Sequence, residues 1–138
     1  MKQEVLKADV AFRKVIDWLI NHDFEVANVL PFNENRYMIV IAKPFNVFIK
    51  YSRDTFHNFG YQFRKEGATG VGESINTAAL KTCIQNKVKK LYSIFPNGHI
   101  YSISLQDFLV NSFKWQQKED TEVRSISIHL FKREDIEV

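Results

Sequence analysis

The side chains with the most capacity for chemistry in this chain are cations gathered in its middle third. Between Lys43 and Lys90 the sequence holds nine basic and three acidic residues, a net charge of +6. The remaining residues hold ten basic and thirteen acidic side chains, so the chain as a whole carries +3. Because clustered positive charge attracts polyanions, the pattern favours a nucleic-acid partner. A solvated basic face without a partner is the alternative.

Aromatic residues are interleaved with cations from Lys50 to Lys65. Cations bind phosphates, and exposed aromatic rings stack on bases. Phe56, Phe59 and Phe63 have helical spacing, which is more typical of core positions. No recognition-helix motif indicates sequence-specific readout. The predicted phosphate contacts are Lys50, Arg53, Arg64, Lys65 and Lys81, and the predicted stacking residues are Tyr51, His57 and Tyr61.

Several common types of active site have no signature in the sequence. The four histidines are scattered, and Cys83 stands alone among apolar helix positions, which favours a small core residue over a reactive thiol. There is no phosphate-binding loop of the Walker type, no dinucleotide fingerprint and no nucleophile elbow. Gly67, Gly70 and Gly72 could expose backbone N–H groups to a phosphate, but Glu73 would repel it, so a flexible loop is favoured.

Bulk composition predicts one compact domain. The chain has 138 residues, of which 45% are hydrophobic, and no linker divides it. The segment Met1–Asp9 lacks the apolar run of a signal peptide, and no apolar stretch approaches the roughly 18 residues that span a bilayer. We therefore expect a cytoplasmic protein, in a cell or in a host. Twelve phenylalanines exceed the need of one small core, which predicts an apolar patch covered in a two-fold homodimer.

Hydrophobic periodicity predicts an α/β domain with a mixed or largely antiparallel central sheet flanked by helices. The segment Arg53–Phe63 is ambiguous between helix and loop, with Asp54 as a possible N-cap. A polar loop is expected up to Asp120. The predicted elements are helix Val5–Asn21; strands Phe24–Leu30, Tyr37–Ala42 and Val47–Tyr51; a helix capped by Ser74 or Asn76 and ending near Lys90; a hairpin of Leu91–Phe95 and His99–Ile103; helix Leu105–Lys114 capped by Ser104; and strand Glu122–Leu130.

The order of helix, strand hairpin, third strand, helix and strand, from Val5 to Ile103, resembles the core of the PD-(D/E)xK nuclease superfamily. That superfamily includes archaeal Holliday-junction resolvases, and the chain also looks like small nuclease-like proteins encoded by archaeal viruses and plasmids. The resemblance implies a restriction-endonuclease-like core and DNA rather than RNA as the partner. It further implies Mg²⁺, held by carboxylates and activating water for attack on a phosphodiester.

The motif residues of that family are only partly present. Lys50, in Phe48-Ile49-Lys50-Tyr51, matches the motif lysine, while Phe48 stands where the Glu-x-Lys acid belongs. Glu4 lies near the first helix, but Tyr37–Ile41 contains no acid. Asp54 and Glu73 are the acids near enough in sequence to replace the missing ones. The resemblance therefore implies Lys50, Asp54 and Glu73 as catalytic candidates, with both acids as Mg²⁺ ligands if the site is active.

Each of these residues also has a plainer interpretation. Asp54 is suited to cap a helix, Glu73 to lie in a solvated loop and Lys50 to extend along the surface. The leading hypothesis is a nuclease-like nucleic-acid-binding protein, either a divergent Mg²⁺-dependent endonuclease or an inactive relative. The alternative is a non-enzymatic homodimeric domain for protein interaction or structure.

Overall fold

The computed structural model describes residues 7–33, 36–52, 72–95 and 98–134. Three helices, α1 (Ala8–Asn21), α2 (Thr77–Gln85) and α3 (Leu105–Asn111), accompany nine strands in these ranges. A 3₁₀ turn, Ile128–Leu130, precedes the last strand. The strands are β1 (Glu25–Phe32), β2 (Tyr37–Lys43), β3 (Asn46–Tyr51), β4 (Gly72–Asn76), β5 (Val88–Ile94), β6 (Ile100–Ser104), β7 (Phe113–Lys118), β8 (Thr121–Ser127) and β9 (Lys132–Arg133).

The strands form two sheets. The larger has the order β1-β2-β3-β5-β6-β9, and the smaller has the order β4-β8-β7. Strands β3 and β5 are parallel, and the other neighbours are antiparallel. The connection from β3 to β5 includes α2, as a parallel pair requires a crossover. The predicted α/β class with a mixed sheet is confirmed, and the second sheet is an addition to it.

Both faces of the larger sheet are covered. On one face α1 packs Phe12, Val15 and Leu19 against alternate strand residues such as Ile49. On the other face α2, α3 and the smaller sheet pack against residues such as Phe48. This double coverage explains why the β2 sequence is apolar at nearly every position. In the described ranges, no helix is long and apolar enough to cross a membrane.

Local signals predicted several element boundaries correctly. The antiparallel pairing of β2 with β3 and the β5–β6 hairpin are both present. The side chain of Ser104 accepts a hydrogen bond from the N–H of Asp107 and caps α3. Of the two caps predicted for α2, Asn76 is the one used, because its Oδ1 accepts from Ala78 N at 2.8 Å. Ser74 lies in β4 instead.

The helix predicted to reach Lys90 ends at Gln85. Asn86 closes it, donating from its backbone and side-chain nitrogens to the carbonyl of Thr82, and Lys87 adopts a left-handed φ of 56°. Val88 and Leu91 then face the same core from β5. Their three-residue spacing looks helical, but it comes from a bulge: β5 advances from Val88 to Lys90 while β3 advances by one residue.

The C-terminal third also differs from the prediction. The helix predicted to run to Lys114 ends at Asn111, and the expected polar loop holds strand β7. Strand β8 ends at Ser127, whose hydroxyl accepts from His129 N and caps the 3₁₀ turn. That turn buries Ile128 but leaves Leu130 55% exposed, so the prediction that Leu130 faces inward is wrong.

Cys83 is fully buried in the core between α2 and the sheets, as predicted. Burial raises the pKa of its thiol from the ordinary value of 9.0 to about 12. Above pH 9 the unfolded chain loses the thiol proton while the folded chain keeps it, so stability must fall as pH rises. Between pH 8 and pH 10.5 we expect wild type to lose about 2 kcal/mol more than Cys83→Ala in urea melts.

The pH comparison isolates the thiol because both proteins share every other titrating group. Among those is Tyr92, whose pKa is raised by burial and by the carboxylate of Glu134. The cavity that Cys83→Ala leaves lowers stability by a constant amount and does not change the slope. Parallel stability curves for the two proteins would contradict the burial of Cys83.

Candidate functional site

A lysine and a glutamate form a buried ion pair between the two sheets. Lys50 lies near the end of β3, on the same face as Phe48, and β4 of the smaller sheet passes over that face with Glu73. The distance from Lys50 Nζ to Glu73 Oε1 is 2.6 Å. Lys50 is 8% exposed and Glu73 is 1% exposed. The two residues are 23 positions apart in the chain and meet only because β4 crosses the sheet here.

Both members of this pair have further hydrogen-bond partners. Oε1 of Glu73 also accepts from the N–H of Ser74 at 3.1 Å, and Oε2 accepts from the Ser52 hydroxyl at 2.5 Å. The Lys50 ammonium donates to the carbonyl of Ser74 as well. A buried charge pair is tolerated when such additional bonds offset the loss of hydration. The arrangement therefore holds β4 against the end of β3.

A chain of hydrogen bonds leads from this pair to the molecular surface. The hydroxyls of Ser74 and Ser125 lie 2.5 Å apart, which joins β4 to β8. Trp115 on β7 donates from Nε1 to the Ser125 hydroxyl at 2.6 Å. The smaller sheet is thus linked by polar side chains from the buried carboxylate to its edge strand.

The pair lies at the carboxyl ends of the two parallel strands, where α/β sheets commonly bind ligands. Ser93 on β5 is the register neighbour of Lys50, and in-register neighbours share a face of the sheet. Ser93 is 1% exposed, and its hydroxyl has no hydrogen-bond partner among the residues described. On the opposite side Tyr37 is paired with Lys50, and its hydroxyl accepts from Asn76 N at 3.4 Å.

The structure corrects two properties predicted for these residues. Lys50 was expected to extend along the surface, but it is buried because β4 covers it. Glu73 was expected in a solvated loop, but it lies in a strand that pairs with β8. Tyr51, predicted to stack on a base, is 4% exposed in the core beneath α1 and has no face open to a nucleic acid.

The other predicted site residues divide into two groups. Lys81 is exposed on α2, as a phosphate contact requires. The remaining members lie outside the described residues, so their roles stay predictions. This second group comprises Glu4, Arg53, Asp54, His57, Tyr61, Arg64, Lys65 and the glycines at 67 and 70.

The residues around Lys50 do not by themselves fit Mg²⁺. This ion takes carboxylate and water oxygens in a near-ideal octahedron. Both oxygens of Glu73 already accept hydrogen bonds from protein donors. Within the described ranges, no three side chains from His, Cys, Asp and Glu gather as a metal site. The described geometry is that of a closed lysine–carboxylate pair.

Sequence reasoning identified Lys50 and Glu73 separately but missed the serines that support them. Ser52 follows Lys50 by two positions, a strand spacing that could have placed both on one face. Ser74, Ser125 and Trp115 had no comparable signal, because their contact depends on the pairing of β4, β8 and β7. The searched protein-family models, curated proteins and solved structures contain no match to the chain.

Replacing Lys50 with Ala should destabilise the domain strongly, because it leaves the Glu73 carboxylate buried without its counter-charge. We expect a loss of about 3–5 kcal/mol in the free energy of unfolding, measured by urea denaturation. Lys50→Met/Glu73→Gln removes both charges with little change in volume and should lose less than half as much. This replaces the expectation that Lys50→Ala leaves the fold intact.

Lys81→Ala is the matched control, because it removes an exposed lysine from the same basic segment. Its effect should stay within about 0.5 kcal/mol. If Lys50→Ala is as stable as Lys81→Ala, the ion pair is not buried in the folded protein. If the double variant is less stable than Lys50→Ala, an unpaired charge is not the cause of the loss.

Proposed function

We propose that this chain is a nucleic-acid-binding protein with a divergent, nuclease-like core. The observation that carries the proposal is the placement of Lys50 against a carboxylate at the end of β3, beside the parallel strand β5. The resemblance to PD-(D/E)xK nucleases implies a lysine and an acid at the third strand of the core. In this chain Glu73, from β4, supplies the carboxylate that position 48 lacks.

The topology supports the same proposal. Helix α1 is followed by the antiparallel strands β1, β2 and β3, then by α2 and the parallel strand β5. This is the element order on which the resemblance rests, with β4 inserted before α2. The pairing of β3 with β5 makes the four strands neighbours in one mixed sheet.

The geometry favours binding over cleavage. A nuclease of this type needs carboxylate oxygens directed at a metal ion, whereas those of Glu73 are directed at Lys50, Ser52 and Ser74. Lys50 is likewise engaged and would reach a phosphate only if β4 moved away. We therefore propose DNA binding as the function and treat Mg²⁺-dependent cleavage as an outcome to be measured.

The positive charge needed for binding lies outside the buried pair. Lys50 and Glu73 remove one base and one acid from the middle third, which leaves eight bases, two acids and an unchanged net charge of +6. Asn46 joins two exposed turns there, accepting from Ala42 N at 3.0 Å and donating to Asn86 O at 2.8 Å. Lys43 and Lys87 are exposed at these turns, although Glu25 is paired with Lys43.

The proposal extends to location and assembly. A DNA-binding protein of this kind would act in the cytoplasm of a cell or host, and a second copy of the chain is its proposed protein partner. The alternative function, a homodimeric interaction or structural domain without DNA binding, is favoured by the apolar edge of the smaller sheet. That edge is analysed in the next subsection.

DNA affinity should depend on salt and on the basic middle third. We expect log K for a short duplex to fall linearly with log salt, by about 0.9 for each phosphate neutralised. The variant Lys81→Gln/Lys87→Gln/Lys89→Gln removes three exposed cations of that third. It should bind more weakly and reduce the slope by up to about three contacts, measured by fluorescence anisotropy.

The matched control is Lys7→Gln/Arg13→Gln/Lys14→Gln, which removes three exposed cations from and beside α1. It should keep the wild-type slope. A third set, Arg53→Gln/Arg64→Gln/Lys65→Gln, tests the predicted contacts outside the described residues. Equal losses in all three sets would indicate a non-specific charge effect. No binding by wild type at low salt would overturn the proposal, and Mg²⁺-dependent cleavage lost in Glu73→Gln would overturn the preference for binding.

A further inference from the structure

The smaller sheet exposes an apolar edge that neither the core nor the proposed DNA contacts use. Strand β7 pairs only with β8 among the described strands, so it is one edge of this sheet. On it Phe113 is 62% exposed and Trp115 is 40% exposed. Val110, at the end of α3 just before the strand, is 73% exposed. We call Val110, Phe113 and Trp115 the β7 patch.

Edge strands offer unpaired backbone groups to any chain that can lie alongside them. The other edge of the smaller sheet, β4, is tied to β3 by the Lys50–Glu73 pair. In the larger sheet, edge strand β1 has a register shift between Val26 and Asn28 and contains Pro31, two features that hinder strand addition. In β7 the register shift lies after Gln116, so the strand is regular from Phe113 to Gln116.

Charge around the β7 patch favours a protein over a nucleic acid. Glu119, Asp120 and Glu122 are exposed at the tip of the β7–β8 hairpin, against Lys114 on the strand. This local excess of acid would repel phosphates. The opposite signs lie at opposite ends of β7, an arrangement that complements itself when two copies run antiparallel.

We propose that the β7 patch is the interface of a two-fold homodimer in which β7 pairs antiparallel with β7 of a second copy. This inference rests on the proposed homodimer and assigns its surface. The two smaller sheets join into one of six strands, and Phe113 and Trp115 of both copies pack together across the axis. Lys114 of each copy lies near the turn at 119–120 of its partner, where the sequence Lys118-Glu119-Asp120 has a net charge of −1.

The expected affinity is moderate. Aromatic side chains bury roughly 150–250 Å² each when fully covered. From their exposed fractions, Phe113 and Trp115 offer about 200 Å² per copy, a minor part of a standard interface of about 1,600 Å². Val110 and the paired strand backbones add the rest. We therefore expect a dissociation constant in the micromolar range.

Sedimentation equilibrium of the full chain, from low micromolar to the hundred-micromolar range, tests the proposal. We expect a monomer–dimer equilibrium whose dissociation constant rises at least about tenfold in Phe113→Asp. Phe113 is the residue to change because Trp115 also hydrogen-bonds to Ser125 and supports the sheet. Val29→Asp, at an exposed apolar position of the β1 edge, is the matched control and should dimerise like wild type.

Charge exchange tests the pairing direction without changing the apolar contact. Lys114→Glu should weaken the dimer, and Lys114→Glu/Glu119→Lys should restore it. Circular dichroism melts check that each variant is folded. The same series, measured for DNA binding, identifies the partner class.

Each outcome distinguishes a different failure. A monomeric wild type overturns the homodimer itself. A dimer that survives Phe113→Asp but is lost in Val29→Asp overturns only the β7 surface. An unchanged mass with lost DNA binding in Phe113→Asp would make the patch a base-stacking surface, and the protein-interface proposal would be wrong.

Discussion

The buried pair of Lys50 and Glu73 determines how the two sheets fit together. Moving either charge from water into a protein interior is costly, so the ion pair is compatible with the fold only while the two groups meet with good geometry. Here the carboxylate accepts three hydrogen bonds, and the ammonium donates to a backbone carbonyl as well. An apolar contact between β3 and β4 would tolerate a shift along the strand, whereas this network specifies one position. The register of β8 and β7 follows from the position of β4.

The parts of the fold that sequence patterns predicted are those determined by neighbouring residues. Ser104 and Asn76 cap the helices that follow them, and alternating or continuous apolar residues identify β2, β3 and the β5–β6 hairpin. The errors arose where distant contacts decide the conformation. Val88 and Leu91 have the spacing of a helix face, and only the pairing of β5 with β3 shows that a bulge produces it. Strand β7 has mixed polar and aromatic residues that predict nothing without its partner β8.

The candidate site follows the same division. Lys50 could be singled out because its strand and its neighbours were clear from the sequence. Its carboxylate partner could be narrowed to the acids near in sequence, but choosing Glu73 required knowing that β4 crosses the end of β3. Burial was the property least accessible to sequence reasoning. A lysine on a strand end is usually exposed, and Lys50 is buried because a second sheet, absent from the predicted architecture, lies over it.

The two features that depart most from ordinary globular patterning are the buried charges and the exposed aromatic rings, and one chain of hydrogen bonds connects them. Glu73 binds the backbone of Ser74, the Ser74 hydroxyl meets Ser125, and Ser125 accepts from the indole of Trp115. Because its nitrogen is fixed, the ring of Trp115 loses little further freedom when a partner covers it, which lowers the entropic cost of association. The polar network that closes the nuclease-like site therefore also holds rigid the surface where we place the second copy.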